Sequence, residues 1–422
     1  PELRNARQVA TMADDKSFVF VMRGAADIDQ MAPVMWQSLE MGQPVTAIIA
    51  SKYKAANDFR LNFLATYPRF TLLHLPGASF APSGLKKYGR VRWNAMRTRR
   101  LLRSTNAGMC IFEWGDGVAD IAKASGVLSR VRRALFTDFV LQAQLSAKQL
   151  GIPTVALPHG HSTKLNLIRS KQVEQALKNN NGKLPFANRD SFDAYVFCAN
   201  YHRDVIVGNS TMSGNNVEVW GSARFSREWL NVLYRIAPQV QLPALDVTQR
   251  HRVLFFLPKW HNMVDRSATI SLLHALGKLA NIQLVISGHV RGDDTQLSAS
   301  ETAEIAALPS VVFAPQGANS VSLIRESNAL IDVDSSIAFD AVQLGKLYIR
   351  PKYLQDAAVR TVYDQFGGAL QATTQDEVVS ALSAQELPVV SVPDAFRLAV
   401  IGDEASNISQ QYVLRLRQLM QQ

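Results

Sequence analysis

Three short clusters hold residues whose types and spacing could do chemistry. In Phe112-Glu113-Trp114-Gly115-Asp116-Gly117, two carboxylates follow an apolar run on a glycine-bearing turn. Neighbouring carboxylates split their pKa values, which suits one to base or nucleophile work and the other to acid work. The same pattern also makes an ordinary Asx turn with a helix cap. In Pro158-His159-Gly160-His161-Ser162-Thr163-Lys164, a glycine between two histidines lets backbone approach a ligand closely. His-x-His supplies only two metal ligands and no third is evident, so no metal is expected. In Asp332-Val333-Asp334-Ser335-Ser336-Ile337-Ala338, an apolar run meets two serines where a helix is expected to begin. Free backbone N–H groups and hydroxyls there would meet a phosphate, and the helix dipole favours an anion. Plain capping by Asp334 or Ser335 is the alternative.

Three further strand ends carry polar groups: Lys259 and His261 after Leu257-Pro258, His289 and Arg291 after Ser287-Gly288, and Arg224 after Trp220-Gly221-Ser222-Ala223. Lys259, His289 and Arg291 would face the same phosphates or the base of a nucleotide.

The elements that position these clusters alternate between short apolar, β-rich runs and helical stretches. Strands are expected at 17–22, 45–50, 70–75, 109–113, 154–157, 194–198 and 217–220, with helices at 31–41 and 131–150. Residues 236–249 hold two prolines and little periodicity, and read as a linker. The pattern restarts with strands at 252–257, 283–287, 311–314, 329–333 and 347–350. Helices are expected at 268–279, 320–326, 335–344 and 408–420, and a polar surface loop at 178–183. Such alternation implies βαβ units and parallel sheets. The expected fold is α/β: two Rossmann-like, doubly wound domains, 1–240 and 241–422, facing across a cleft. Ligands of such sheets bind outside the carboxyl ends of the strands.

With 422 residues, 47% of them hydrophobic and 19% charged, the chain can bury two cores. Cys110 and Cys198 lie in apolar runs and read as buried thiols, which fits a reducing compartment. No signal peptide and no bilayer-length apolar run is evident, so a cytoplasmic location is expected. The net charge of +10 favours an anionic partner. From Lys86 to Arg103 no acid interrupts the lysines and arginines, while Trp93, Met96, Leu101 and Leu102 interleave with them. That is a basic amphipathic helix, either solvated or docked on an anionic membrane, which would make the protein peripheral on the inner face of the cell membrane. No nucleic-acid motif accompanies it, and no nucleic-acid partner is expected.

On these motifs the chain resembles GT-B glycosyltransferases, in particular bacterial CDP-glycerol glycerophosphotransferases and capsule transferases. Residues 327–351 are similar to their donor-phosphate segment, Pro158-His159-Gly160 with Lys164 to their His-Gly segment, and Gly221 to Arg224 to their Gly-x-x-Arg turn. A looser resemblance joins the acidic turn at 113–117, His289 and Ser335-Ser336 to transferases of CMP-activated acidic sugars, with Val290 where those proteins have proline. The resemblance implies a metal-independent enzyme of bacterial surface-polysaccharide or lipopolysaccharide synthesis. It would transfer a Kdo-like sugar from a CMP-sugar donor to a glycan or lipid-linked glycan acceptor, with no separate cofactor. It implies Asp116 as catalytic carboxylate with Glu113 beside it, and His159 or His161 assisting. It gives His289, Ser335, Ser336, Lys259, Arg291 and Arg224 to the nucleotide. A CDP-polyol phosphotransferase would instead use His159 as base. A non-catalytic glycan-binding module is the alternative outside enzymes. A UDP-sugar 2-epimerase ranks lower, because its arginine-rich first loop and His-Arg-Arg-Glu-Asn-like segment are absent.

Overall fold

The computed structural model describes residues 16–75, 95–114, 139–158, 160–168, 170–288, 297–333 and 335–422. The chain forms two units. Among the described residues the first holds a seven-stranded parallel sheet: β1 (Ser17–Met22), β2 (Val45–Ile49), β3 (Phe70–His74), β4 (Ala107–Glu113), β5 (Thr154–Leu157), β6 (Ala194–Phe197) and β7 (Val217–Val219). Its order is β3-β2-β1-β4-β5-β6-β7. The inner runs are short and mostly apolar because the sheet is covered on both faces there, while the edge strands β3 and β7 carry polar residues. Every side chain of β1, β2 and β5 is buried.

The helix Ala25–Glu40 follows β1 after Gly24. Asp27 accepts the backbone N–H groups of Arg23 (2.5 Å) and Gly24 (3.3 Å), which would otherwise lack helical partners. The chain leaves this helix through Gly42, at φ +75°. The helix Phe139–Gln149 ends the same way, at Gly151 with φ +66°. A left-handed residue satisfies the last carbonyls, and glycine adopts it without strain.

The second unit repeats the plan with β8 (His251–Phe256), β9 (Ile282–Ser287), β10 (Val311–Phe313), β11 (Ala329–Ile331), β12 (Leu347–Pro351) and β13 (Leu370–Ala372). The order is β10-β9-β8-β11-β12-β13, all parallel. Its core is built on Val253, Phe255, Leu284, Ile286, Ile331 and Ile349, all nearly or fully buried.

The main division falls between Trp229 and Leu230, and two stretches depart from it. Residues 161–175 belong to the second unit, and residues 402–422 to the first. The first of these stretches is tied down by backbone: Leu165 donates to the Arg360 carbonyl and Val362 to the Thr163 carbonyl, both at 2.8 Å. Asn166 brackets the contact through Arg360 N (3.0 Å) and the Ala358 carbonyl (2.8 Å). The terminal helix Ile408–Gln421 packs on Ala25–Glu40. Tyr412 donates to the Gly221 carbonyl at 2.7 Å, and Arg417 to the Met41 carbonyl at 2.9 Å.

Residues 237–250 form no helix or strand, as the two prolines suggest. The stretch expected as a loop at 178–183 differs: the helix Lys171–Asn179 runs into it, and Gly182 then donates back to the Leu177 carbonyl at 2.8 Å. Cys110 and Cys198 are buried free thiols, and burial pushes both up to about 12.

Candidate functional site

In the second unit, β8 and β11 lie side by side, with Phe255 opposite Ile331. From β8 the chain first builds β9 and β10 to one side; from β11 it builds β12 and β13 to the other. The β8/β11 pair is therefore a topological switch point, where the connections diverge and leave a crevice at the carboxyl ends. Leu257-Pro258-Lys259 leaves β8 there, and Asp332-Val333 leads from β11 to Ser335-Ser336. On the other flank of β8, Phe256 is paired with Ser287, the last residue of β9. Lys259 and the two serines thus leave adjacent strand ends. Lys259 is half-buried.

The local geometry at the serines differs from the expectation. The helix begins at Ala338, not Ser335, and runs only to Gln343. The buried Asp332 carboxylate accepts the Ser335 N–H at 2.8 Å, and Ser335 Oγ accepts the Ile337 N–H at 3.2 Å. Ala338 and Phe339 donate to the carbonyls of Ser335 and Ser336. Several N–H groups expected to meet a phosphate are therefore engaged within the turn. What the turn presents is the half-buried Ser336 and the hydroxyl of Ser335. Asp332 sets this geometry, and its backbone carbonyl accepts the Tyr348 hydroxyl at 3.1 Å. The sequence marks Asp332 only as the end of an apolar run, because no spacing rule tells an anchoring carboxylate from a solvated one.

An aromatic cluster of the second unit includes Phe339, one turn beyond the serines. The ring of His161 lies 4.9 Å from Phe339, and Tyr363 is 4.9 Å from Tyr348 and stacked on Phe396 at 5.6 Å. The fold thus brings together the His161 segment and the serine segment. It does so by burying His161, whose Nε2 lies 2.5 Å from the Val400 carbonyl. Burial lowers its pKa to about 4, although the Val400 bond opposes the shift. A neutral ring tied to a carbonyl and nearly closed to solvent is a placement that differs from the solvent-facing one a catalytic His161 would take.

In the first unit Glu113 closes β4, which pairs with β1 at the corresponding switch point. Beyond it, Trp114 donates to the Val196 carbonyl at 2.7 Å and packs on Tyr195, Phe197 and His202. Asp116, His159, His289 and Arg291 lie outside the described residues.

Arg224 also departs from its expected role at a nucleotide. It is buried in the first unit, and its Nε donates to Asp29 at 2.7 Å. Arg60 holds the other Asp29 oxygen at 2.7 Å and pairs with Asp58 at 2.6 Å. Burial raises the Asp29 pKa, but Arg224 and Arg60 outweigh it and hold the carboxyl below its usual value. Asp58 doubles as cap for the helix Phe59–Leu64 by accepting Arg60 N and Leu61 N. Sequence reasoning missed this network, because its members lie far apart along the chain.

No family model and no curated protein matches the sequence. Solved structures match the fold. A UDP-GlcNAc 2-epimerase from Methanocaldococcus jannaschii superimposes with a TM-score of 0.56 at 9% identity, covering 95% of this chain and 99% of that one. The UDP-N-acetylglucosamine 2-epimerase from Rickettsia bellii gives 0.53 at 14% identity, with 95% of each chain covered. The Neisseria meningitidis UDP-GlcNAc 2-epimerase, solved bound to UDP-GlcNAc, gives 0.53 at 12% identity over 96% and 100%. These likenesses and the two parallel sheets define the class: an α/β chain of two Rossmann-like units of the GT-B kind.

Proposed function

We propose that this chain is a nucleotide-sugar enzyme that holds the nucleotide phosphate in its second unit and transfers the sugar to a glycan acceptor. The observation that supports this most is that Lys259 and Ser335-Ser336 follow the ends of the adjacent strands β8 and β11 at the switch point. An ammonium group and two hydroxyls there can neutralise and bind a phosphate leaving group, and such stabilisation supplies a large part of the barrier lowering in transfer reactions. Glu113 and Asp116, with His159, supply the candidate bases. The resemblance to cytidine-nucleotide transferases favours CMP- or CDP-linked donors. CDP-polyol transfer and non-catalytic glycan binding stay as variants to be tested.

A second reading is epimerisation of a UDP-sugar, supported by the activity named for the matched structures. The product of that reaction is still a UDP-sugar, whereas transfer releases the nucleotide.

Melting the protein against CMP, CDP, UMP, UDP, GDP and ADP tests the proposal. A ligand that binds only the folded state at a hundred times its Kd adds about 2.7 kcal/mol. The expected result is a rise with one nucleotide family that is lost in Ser335→Ala/Ser336→Ala and reduced about tenfold in affinity by Asp332→Asn, the scale of one charge-assisted hydrogen bond. A rise with UDP alone, and turnover of UDP-GlcNAc without UDP release, would move the assignment to an epimerase. No rise with any nucleotide would sink both readings in favour of a glycan-binding module.

A further inference from the structure

The helix Ala95–Ser104 carries four arginines and no carboxylate. Thr98 and Leu102 are buried, and the helix packs against Phe139–Gln149. The opposite side points to solvent: Met96 is 66% exposed, and Arg97, Arg100 and Arg103 are exposed. Residues three and four apart are neighbours on a helix, so these four form one face. Arg99 sits on its flank and donates to Gln149 Oε1 at 2.6 Å. Lys148, on the neighbouring helix, is exposed as well.

We propose that this face docks on an anionic phospholipid surface. A convex helix face encloses no small ion; it suits an extended surface of negative charge. The arginines gain from the surface potential of anionic lipid. Their stems lie along apolar material while the guanidinium groups reach phosphates. The exposed Met96 favours lipid over a fully hydrated polyanion, because it gains only by entering the headgroup–acyl boundary. No described helix is long and apolar enough to cross a membrane, so this contact is with the surface.

Co-sedimentation with phosphatidylcholine vesicles, with and without phosphatidylserine, tests the proposal. The expected result is binding only when phosphatidylserine is present, weakening as salt screens the charges. Arg97→Glu/Arg100→Glu/Arg103→Glu should bind about a hundredfold less while keeping the wild-type melting temperature and nucleotide response. Met96→Ala, which cannot disturb the fold through charge, should weaken binding at unchanged salt dependence. Failure of the wild-type protein to bind, equal binding by the triple variant, or retention on an acidic polysaccharide without vesicle binding would each overturn it.

Discussion

Val400 accepts a hydrogen bond from His161, so Nε2 carries the proton, and burial makes the neutral ring the stable form. The folded pKa of about 4 lies below the ordinary 6.5, which gives the stability a direction with pH. Between these values the unfolded chain takes up a proton that the folded chain refuses. His161 therefore contributes nothing adverse above about pH 6.5 and costs stability as pH falls towards 4, at most about 3 kcal/mol. His161→Gln should be less stable than wild type at neutral pH but lose less stability on acidification, measured by denaturant melts across that window. The sequence shows two histidines flanking a glycine after a strand. It does not show that the second turns inward to a carbonyl 239 residues away. Ser335-Ser336 is the converse case: the apolar run before it marks a strand end, and the chemistry of the turn follows. Even there the helix start was displaced by three residues, because the Asp332 carboxylate captures an N–H that periodicity alone assigns to the helix.

At the scale of elements, the parallel strands were the most legible parts. A strand covered on both faces is largely apolar, so β1, β5 and β9 stand out from their neighbours. The strand β13, three residues long, and the helices Phe59–Leu64 and Val362–Phe366, each under two turns, carry too little periodicity to stand out. Packing makes them, not local pattern. The joint between the helix Arg266–Gly277 and β10 shows how tight that packing is. A methyl group on Gly277 would sit 2.5 Å from Leu308 Cδ1, 2.9 Å from Leu308 Cβ and 3.0 Å from Val311 Cγ2. Gly277→Ala should cost about 1–3 kcal/mol by overpacking, seen as a lowered denaturation midpoint with an unchanged slope.

At the scale of the molecule, both units run the same circuit: two strands to one side of the first, then the remainder to the other. The alternation of apolar runs foretold that doubling. It did not foretell that residues 402–422 return to the first unit, since amphipathic spacing says that a helix has a buried face but not what buries it. The buried Tyr412, bonded to Gly221, is the anchor of that return. Tyr412→Ala should destabilise the first unit by about 3–5 kcal/mol, on the scale of other large-to-small aromatic losses. Hydrogen exchange should then rise in β7 and in Ala25–Glu40 before it rises in β8 and β11.

The same return bears on biosynthesis. A ribosome releases β1 to β7 and then the remainder of the second unit before residues 408–421 appear. Through that interval the surface of Ala25–Glu40 that the terminal helix will cover stays open to water. Nascent chains are most exposed to misassembly in such intervals. A translational pause before residue 408 would prolong that vulnerable period, and a chaperone that shields apolar helix faces would find its client in the first unit.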